Sequence, residues 1–148
     1  MNPMDRVEFL LGRWEGTGWH RHGGSPPVRF RQSEHVRRRL DGELVTIEGR
    51  GWRDDGAGDV VHRAFALVSY DSDRECYRWE AFSRGGRVET VVDLSDGGFA
   101  WSLSPAPDVT IHYRGLVTHD TWTETAQLHA GEGLEPATVL EMTLRRVG

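Results

Sequence analysis

Two glutamates, Glu34 and Glu124, have neighbours that predict an inward-facing position. Glu34 and Gln32 lie two residues apart in a segment that alternates polar and apolar residues, and Glu124 lies in a similar segment near the end of the chain. A buried carboxyl group must accept hydrogen bonds, pair with a cation or stay protonated. In any of these states it could bind a polar group of a ligand or transfer a proton.

Glycines surround both acids in the predicted strand pairing. On the first three strands they flank Glu34 and Gln32 from both sides, and Gly115 faces Glu124 if residues 119–120 form a two-residue turn. Glycine inside a strand often marks the close approach of a ligand or of another backbone. We therefore expect open space beside both acids. The four early glycines are Gly16, Gly18, Gly49 and Gly51.

Three interpretations of the inward acids remain open. Glu34 could bond to Gln32, a tyrosine hydroxyl or an inward arginine and only stabilise the fold. It could instead recognise a polar group on a ligand held among aromatic side chains. Alternatively, Glu34 or Glu124 could be catalytic, as a general acid or base with the raised pKa of a carboxyl in a dry pocket. The predicted ligand-binding set is His20, Phe30, Gln32, Glu34, Arg63, Tyr77, Trp79, Trp101, Tyr113, Glu124 and Met142.

The facing of segment 60–70 is ambiguous from its pattern. Either the even-numbered residues from His62 point inward, or the odd-numbered ones from Arg63 do. If Arg63 points inward, it becomes a counter-ion for Glu34 or for a ligand carboxylate.

Strands separated by turn signals must position these side chains. Period-2 segments alternate with Gly-, Pro- and Asp-rich turns almost to the end of the chain. Asn2, Pro3 and Asp5 predict a short helix that Gly12 ends. A single meander closes most simply into a barrel, because closure removes its exposed edges. The ten predicted strands are 14–22, 28–40, 44–53, 60–70, 76–84, 87–94, 99–104, 109–118, 121–129 and 138–146.

Hairpin registers predict which face is inside. With residues 85–86 as a two-residue loop, Trp79 faces Val92, and one face of this hairpin is apolar throughout. The pairing of the first two strands places Trp14 beside Val36 on the same inner face. The sequence therefore predicts an all-β, ten-stranded antiparallel up-and-down barrel whose N-terminal helix closes one end.

Composition places the chain among ordinary globular domains. Its 148 residues are 37% hydrophobic and 28% charged, which suits one domain over residues 1–148. The net charge of −5 argues against a general nucleic-acid binder. An arginine stripe within 29–39 falls on the outer face and has no interleaved aromatic residues, so we expect a solvated wall.

Signals for disulfides, export and metal binding are weak in this sequence. The single cysteine, Cys76, excludes an intramolecular disulfide. No apolar stretch approaches the ~20 residues of a membrane span, and the opening residues do not resemble a signal peptide. We therefore expect a cytoplasmic protein with no membrane partner. His20 and His22 share a strand face but form no strong metal motif, so we expect no metal site.

The opening of the chain resembles that of calycin-superfamily barrels. Residues 9–18 combine a short helix with a G-x-W motif at Gly12 and Trp14. The continuation through Gly16 and Gly18 is similar to nitrobindin and to a related uncharacterised bacterial family of lipocalin-like domains. The second likeness extends over Glu34, 40–42, 48–49, 61–62, 69–71 and 140–144. The resemblance implies a calycin or lipocalin-like barrel with a central apolar cavity, plugged at its closed end by the tryptophan.

The resemblance to nitrobindin also implies haem bound through a histidine late in the barrel, and conversion of peroxynitrite to nitrate. The final predicted strand, 138–146, contains no histidine; His129 lies at a strand end, and His112 is predicted to face outward. We therefore expect no cofactor, with His20 near the mouth as the remaining candidate haem ligand.

The favoured function is binding of a small, largely apolar or aromatic molecule in the central cavity. The first alternative is a cofactor-free isomerase, cyclase or dehydratase that uses Glu34 or Glu124. The others are nitrobindin-like haem chemistry and a protein-interaction module with a packed interior. The sequence leaves the ligand's identity and homodimer formation open.

Overall fold

Alternating side chains and tight turns build ten antiparallel strands. The computed structural model describes residues 2–56 and 58–148. Each strand pairs with the next along the chain, and β1 also pairs with β10, so the sheet closes into a barrel. The predicted fold class is confirmed. The strands are β1 (Gly12–His20), β2 (Val28–Arg39), β3 (Leu44–Arg53), β4 (Val60–Asp71), β5 (Cys76–Ser83), β6 (Gly86–Ser95), β7 (Gly98–Ala106), β8 (Val109–Thr118), β9 (Thr121–His129) and β10 (Ala137–Arg146).

A 3₁₀ helix over Pro3–Leu10 covers one end of the barrel. The side chain of Asn2 caps it by accepting a hydrogen bond from the Met4 backbone N–H at 2.9 Å. Met4, Val7 and Leu10 recur every three residues, which is one turn of a 3₁₀ helix, and each is only 1% exposed. The helix therefore closes this end with a single apolar face. Among the described residues, no helix is long and apolar enough to cross a membrane.

Trp14 is the centre of the core beneath this helix. It is fully buried, and its ring meets that of Trp122 edge to face at 5.5 Å. Its indole N–H donates to the Leu10 carbonyl at 2.9 Å. The guanidinium of Arg146 lies 4.1 Å from the Trp14 ring centroid and donates to the backbone carbonyl of Phe9 at 3.2 Å. These contacts join the helix, the first strand and the last strand into one plug.

The hairpin around Glu124 and the pairing of β2 with β3 have the predicted register. Glu34 pairs with Gly49 across β2 and β3, and Glu124 pairs with Gly115 across β8 and β9.

Two other registers differ from the prediction by two residues. Trp14 pairs with Glu34 and not with Val36. Trp79 pairs with Thr90 because the β5–β6 turn is centred on residues 84–85, whose φ angles of 51° and 77° suit a two-residue hairpin turn. A two-residue shift leaves every side chain on its predicted face, so the assignment of the interior is unaffected.

Candidate functional site

The barrel interior has two differently packed halves. The closed half lies under the 3₁₀ helix, and its largest side chains, such as Trp14, Trp122 and Leu144, are at most 2% exposed. The open half lies toward the other end, and several of its inward side chains keep partial exposure. A side chain inside a closed wall can be exposed only to interior space or to the open end. Representative residues of the open half are His20, His62, Trp101, Tyr113, Leu128 and Leu140.

Glu34 lies inside the barrel near the boundary between the halves. The Gln32 side-chain N–H donates to Glu34 Oε2 at 2.5 Å, and Gln32 itself is only 4% exposed. Burial raises the pKa of Glu34 to about 8; the Gln32 hydrogen bond opposes this shift, and the charge of Glu124 adds to it. Glu34 is therefore mostly protonated at neutral pH.

Glu124 reaches the same interior from β9. The Trp122 indole N–H donates to Glu124 Oε1 at 3.2 Å. Burial raises the pKa of Glu124 to about 7, against the opposing effect of that hydrogen bond. Burial and the nearby Glu124 charge also raise the pKa of Tyr113. The structure thus brings the two acids together with Tyr113, which belongs to the predicted ligand-binding set.

An aromatic column runs across the inner face of β5, β7 and β8, beside the strand that carries Glu124. The rings of Trp101 and Tyr113 stack at 4.2 Å with an interplanar angle of 4°, and Trp79 stacks on Trp101 at 5.2 Å. Phe99 continues the column into the closed half at 6.1 Å from Trp79. The indole N–H of Trp79 is buried and has no hydrogen-bond partner among the described residues. The column offers a flat apolar wall with a free donor.

Segment 60–70 resolves with its even-numbered residues inward. Ala66 and Val68 are buried, whereas Arg63 is exposed on the outer face opposite Arg50. Arg63 is therefore not a counter-ion for Glu34, and its predicted place in the interior ligand-binding set is wrong.

Tyr77 faces the interior as predicted but lies in the closed half. Its hydroxyl donates to the Pro3 carbonyl at 2.7 Å, which ties β5 to the 3₁₀ helix in the closed half. Phe30 and Met142 do face the interior, where both are buried. They contribute apolar lining rather than polar contacts.

The glycines beside the acids do not leave empty volume as expected. A Cβ at Gly49 would collide with the Glu34 carboxyl, and one at Gly51 would collide with the Gln32 amide. At Gly115 the occupying group is the ring of Phe99. These glycines admit the polar side chains and the aromatic ring themselves.

Three histidines and several arginines border the mouth. A depression of about 530 Å³ there is lined by His20, His22 and His62 together with Arg53, Arg63 and Arg84. Burial and neighbouring positive groups lower the pKa values of His20 and His62. The described residues contain no group of three potential ligands that could hold a metal ion.

The late histidines do not fit a haem bound inside the barrel. His112 is exposed, with its ring 4.7 Å from that of His129 and its Nδ1 2.8 Å from the Ser102 hydroxyl. Both belong to the outer face, so neither can bind a haem inside the barrel.

A larger depression of about 880 Å³ lies against the outer wall over β1–β5. Most of its lining is outward-facing, including Arg50, Phe65 and Phe82, although Glu34 also belongs to the lining.

One polar partner escaped the sequence reasoning. Trp122 is absent from the predicted ligand-binding set, although its spacing of two from Glu124 puts both side chains on the same side of β9. That spacing was the signal for the hydrogen bond between them.

Comparisons with known proteins show the fold but no family. No family model matches the chain, and no curated protein matches it. The structure of Rv2717c from M. tuberculosis is similar with a TM-score of 0.72 at 15% identity, covering 99% of this chain and 98% of that one. The S-type phycobiliprotein lyase CPES from Guillardia theta gives 0.63 at 13% identity, covering 100% and 94%.

A DUF3598 family protein of unknown function from Nostoc punctiforme PCC 73102 gives a TM-score of 0.52 at 14% identity, and the match covers 95% of this chain and 48% of that one. At these identities the neighbours show the barrel fold alone.

Proposed function

We propose that the open half binds a small, largely apolar or aromatic molecule without a cofactor. The ligand lies against the Trp101–Tyr113 stack, and Glu34 and Glu124 recognise its polar group. The observation that carries this proposal is the coexistence of half-exposed inward side chains and unpartnered polar atoms in the same half of the barrel.

The unpartnered atoms give such a ligand a source of binding free energy. Gln32 Oε1 and Trp79 Nε1 are buried without hydrogen-bond partners among the described residues. A buried polar atom left unsatisfied costs about 1–3 kcal/mol. A ligand with complementary groups removes this cost, and its apolar body adds roughly 25 cal/mol for each Å² taken out of water.

The closed half has no comparable capacity. Its Trp14 and Tyr77 polar groups donate to backbone carbonyls of the helix segment, and its large side chains are fully buried. A similar barrel fold occurs in a protein named as a phycobiliprotein lyase. That likeness is an analogy of fold: it shows that such a barrel can carry a chemical function, and it does not assign that function to this chain.

The test is a fluorescence titration with N-phenyl-1-naphthylamine, whose emission rises in apolar sites. We expect saturable binding to the wild type and loss of binding in Ala81→Phe or Ala64→Phe, which fill the open half from β5 or β4. The matched control is Val91→Phe, which enlarges an outward residue that is 45% exposed. Equal binding by all variants, each checked for a cooperative melt, contradicts the proposal.

A second candidate function, general acid–base catalysis without a cofactor, is favoured by the two coupled carboxyls. With pKa values of about 8 and about 7, the pair holds both a proton donor and a proton acceptor near neutrality. The ring opening of 5-nitrobenzisoxazole reports proton abstraction by a buried base. We expect a rate that rises with pH through this range and is lost in Glu34→Gln/Glu124→Gln but kept in Glu15→Gln. Retention of the rate in the double variant removes both acids from any such role.

A further inference from the structure

The two interior acids have no positively charged partner. The groups that face them are the Gln32 amide, the Trp122 indole and the Tyr113 phenol, none of which carries a positive charge. The charges of Arg53 and Arg84 at the mouth act on His20, and that of Arg84 also acts on His62. Among the described residues, no arginine forms an ion pair with either acid.

Each acid also has one oxygen without a hydrogen bond. Gln32 donates to Glu34 Oε2 and Trp122 donates to Glu124 Oε1. Within residues 2–56 and 58–148 the structure contains no donor to Glu34 Oε1 or Glu124 Oε2. Two acids in one apolar interior, each with one free oxygen and neither paired with a cation, form a site that a cation with N–H donors would complete.

Resting on the proposed function, we propose that the ligand of the open half is an organic cation: an apolar or aromatic body that carries a protonated amine. Its N–H groups donate to the free oxygens of Glu34 and Glu124. The rings of Trp79, Trp101 and Tyr113 line the same half and favour a cation over a neutral group of the same size.

The protonation of the acids does not prevent an organic cation from binding. At pH 7 one carboxyl with a pKa near 7 or 8 ionises at a cost of at most about tenfold in affinity. The attraction between a cation and a carboxylate removed from water exceeds that cost. A ligand carboxylate would instead meet two acids and no cation. A neutral acceptor could use the acid O–H groups, and it is the competing ligand type that the experiment must separate.

The experiment compares three probes with the same ring system: 1-naphthylmethylammonium, 1-naphthylmethanol and 1-naphthoate. Isothermal titration calorimetry measures their affinities for the full chain at pH 6 and pH 8. We expect the ammonium to bind about tenfold or more tightly than the alcohol at pH 8, with a smaller preference at pH 6 because the acids are then protonated. In two buffers of different ionisation enthalpy, ammonium binding at pH 7 releases protons and alcohol binding does not.

The variants assign the preference to the acids. In Glu34→Gln/Glu124→Gln the ammonium and the alcohol bind within about threefold of each other, whereas Glu15→Gln, an outward acid on β1, keeps the wild-type preference. If the alcohol equals or exceeds the ammonium in the wild type, the inference of a cationic ligand is wrong while the proposed function stands. If none of the three probes nor N-phenyl-1-naphthylamine binds, both fail.

Discussion

The closed and open halves of the barrel are built from the same ten strands but differ in the packing and hydrogen bonding of their inward side chains. In the closed half, Trp14, Trp122 and Leu144 fill the space, and the polar groups of Trp14 and Tyr77 are paired with the covering helix. In the open half, inward side chains are partly exposed, and polar atoms of Gln32 and Trp79 have no partner among the described residues. The difference lies in the cover and in the side chains, since the strand geometry is shared.

This contrast shows how one meander combines stability with binding. A densely packed end tolerates an under-packed one because the free energy of folding is a sum over both. Unsatisfied polar groups and half-buried side chains reduce stability where they occur, and they are retained at the end where a ligand can reach them. The predictions below test whether the two halves differ in this way.

The largest expected effect is a matched pair of truncations on β10. Leu144 is fully buried in the closed half, whereas Leu140, four residues earlier on the same face, is half-buried in the open half. We expect Leu144→Ala to lower the free energy of unfolding by about 4 kcal/mol and Leu140→Ala by about 1 kcal/mol. Urea denaturation measures both. Equal losses would remove the distinction between the halves.

The next effect is the pH dependence that Glu34 confers. Its pKa is about 8 in the folded protein against 4.5 when unfolded, so the folded state holds the proton more tightly. The stability that this proton gives is complete below pH 4.5 and is lost as the pH rises toward 8. Between pH 5 and pH 8 we expect the wild type to lose roughly 3 kcal/mol relative to Glu34→Gln.

The same urea series with Glu15→Gln is the control, because that residue points outward from β1. Its difference from the wild type should not change with pH. A constant difference between the wild type and Glu34→Gln across this range would place Glu34 in water, against its assignment to the interior.

A smaller effect is expected where Arg146 joins β10 to the helix. Arg146→Met removes the cation over Trp14 and leaves the carbonyls of Phe9 and Leu11 without their side-chain donor. We expect a loss of about 2 kcal/mol. The control is Arg145→Met, which changes an exposed neighbour. It should lower the free energy of unfolding by less than about 1 kcal/mol. Thermal unfolding measures both variants. An equal decrease in melting temperature would show that Arg146 stabilises the closed end no more than Arg145 does.

The smallest effect belongs to the outer wall. Arg37 and Glu48 approach within 3.8 Å with side chains 41% and 61% exposed. An exposed pair of this kind contributes about 0–1 kcal/mol, so Glu48→Gln should leave both stability and probe binding nearly unchanged. A loss of probe binding in this variant would point to the outer depression rather than to the barrel interior.

Much of the fold was accessible from sequence because turn chemistry and period-2 alternation are local signals. Every predicted strand is present, and the inward face is right even where the pairing is shifted, as at Trp14 and Trp79. The shift at Trp79 arose because residue 84 adopts a positive φ, which no local pattern marks for an arginine.

The site could be predicted from the sequence less completely than the fold, because it depends on long-range packing. The inward position of Glu34 follows from the alternation of side chains along the strand. The alternation does not show what fills the space beside Gly49, which is the carboxyl group of Glu34 itself. Arg63 was placed inside because strand 60–71 is apolar on both faces. The hydrogen bond from the Tyr77 hydroxyl to Pro3 spans 74 residues, so no local pattern indicated it.

The most direct test of a binding site in the open half is a crystal structure of the protein with 1-naphthylmethylammonium. The account predicts electron density for the probe inside the barrel, with its ring beside Trp101 and Tyr113 and its nitrogen at Glu34 and Glu124. Density only on the outer wall, with the side chains of the open half packed against one another, would contradict it.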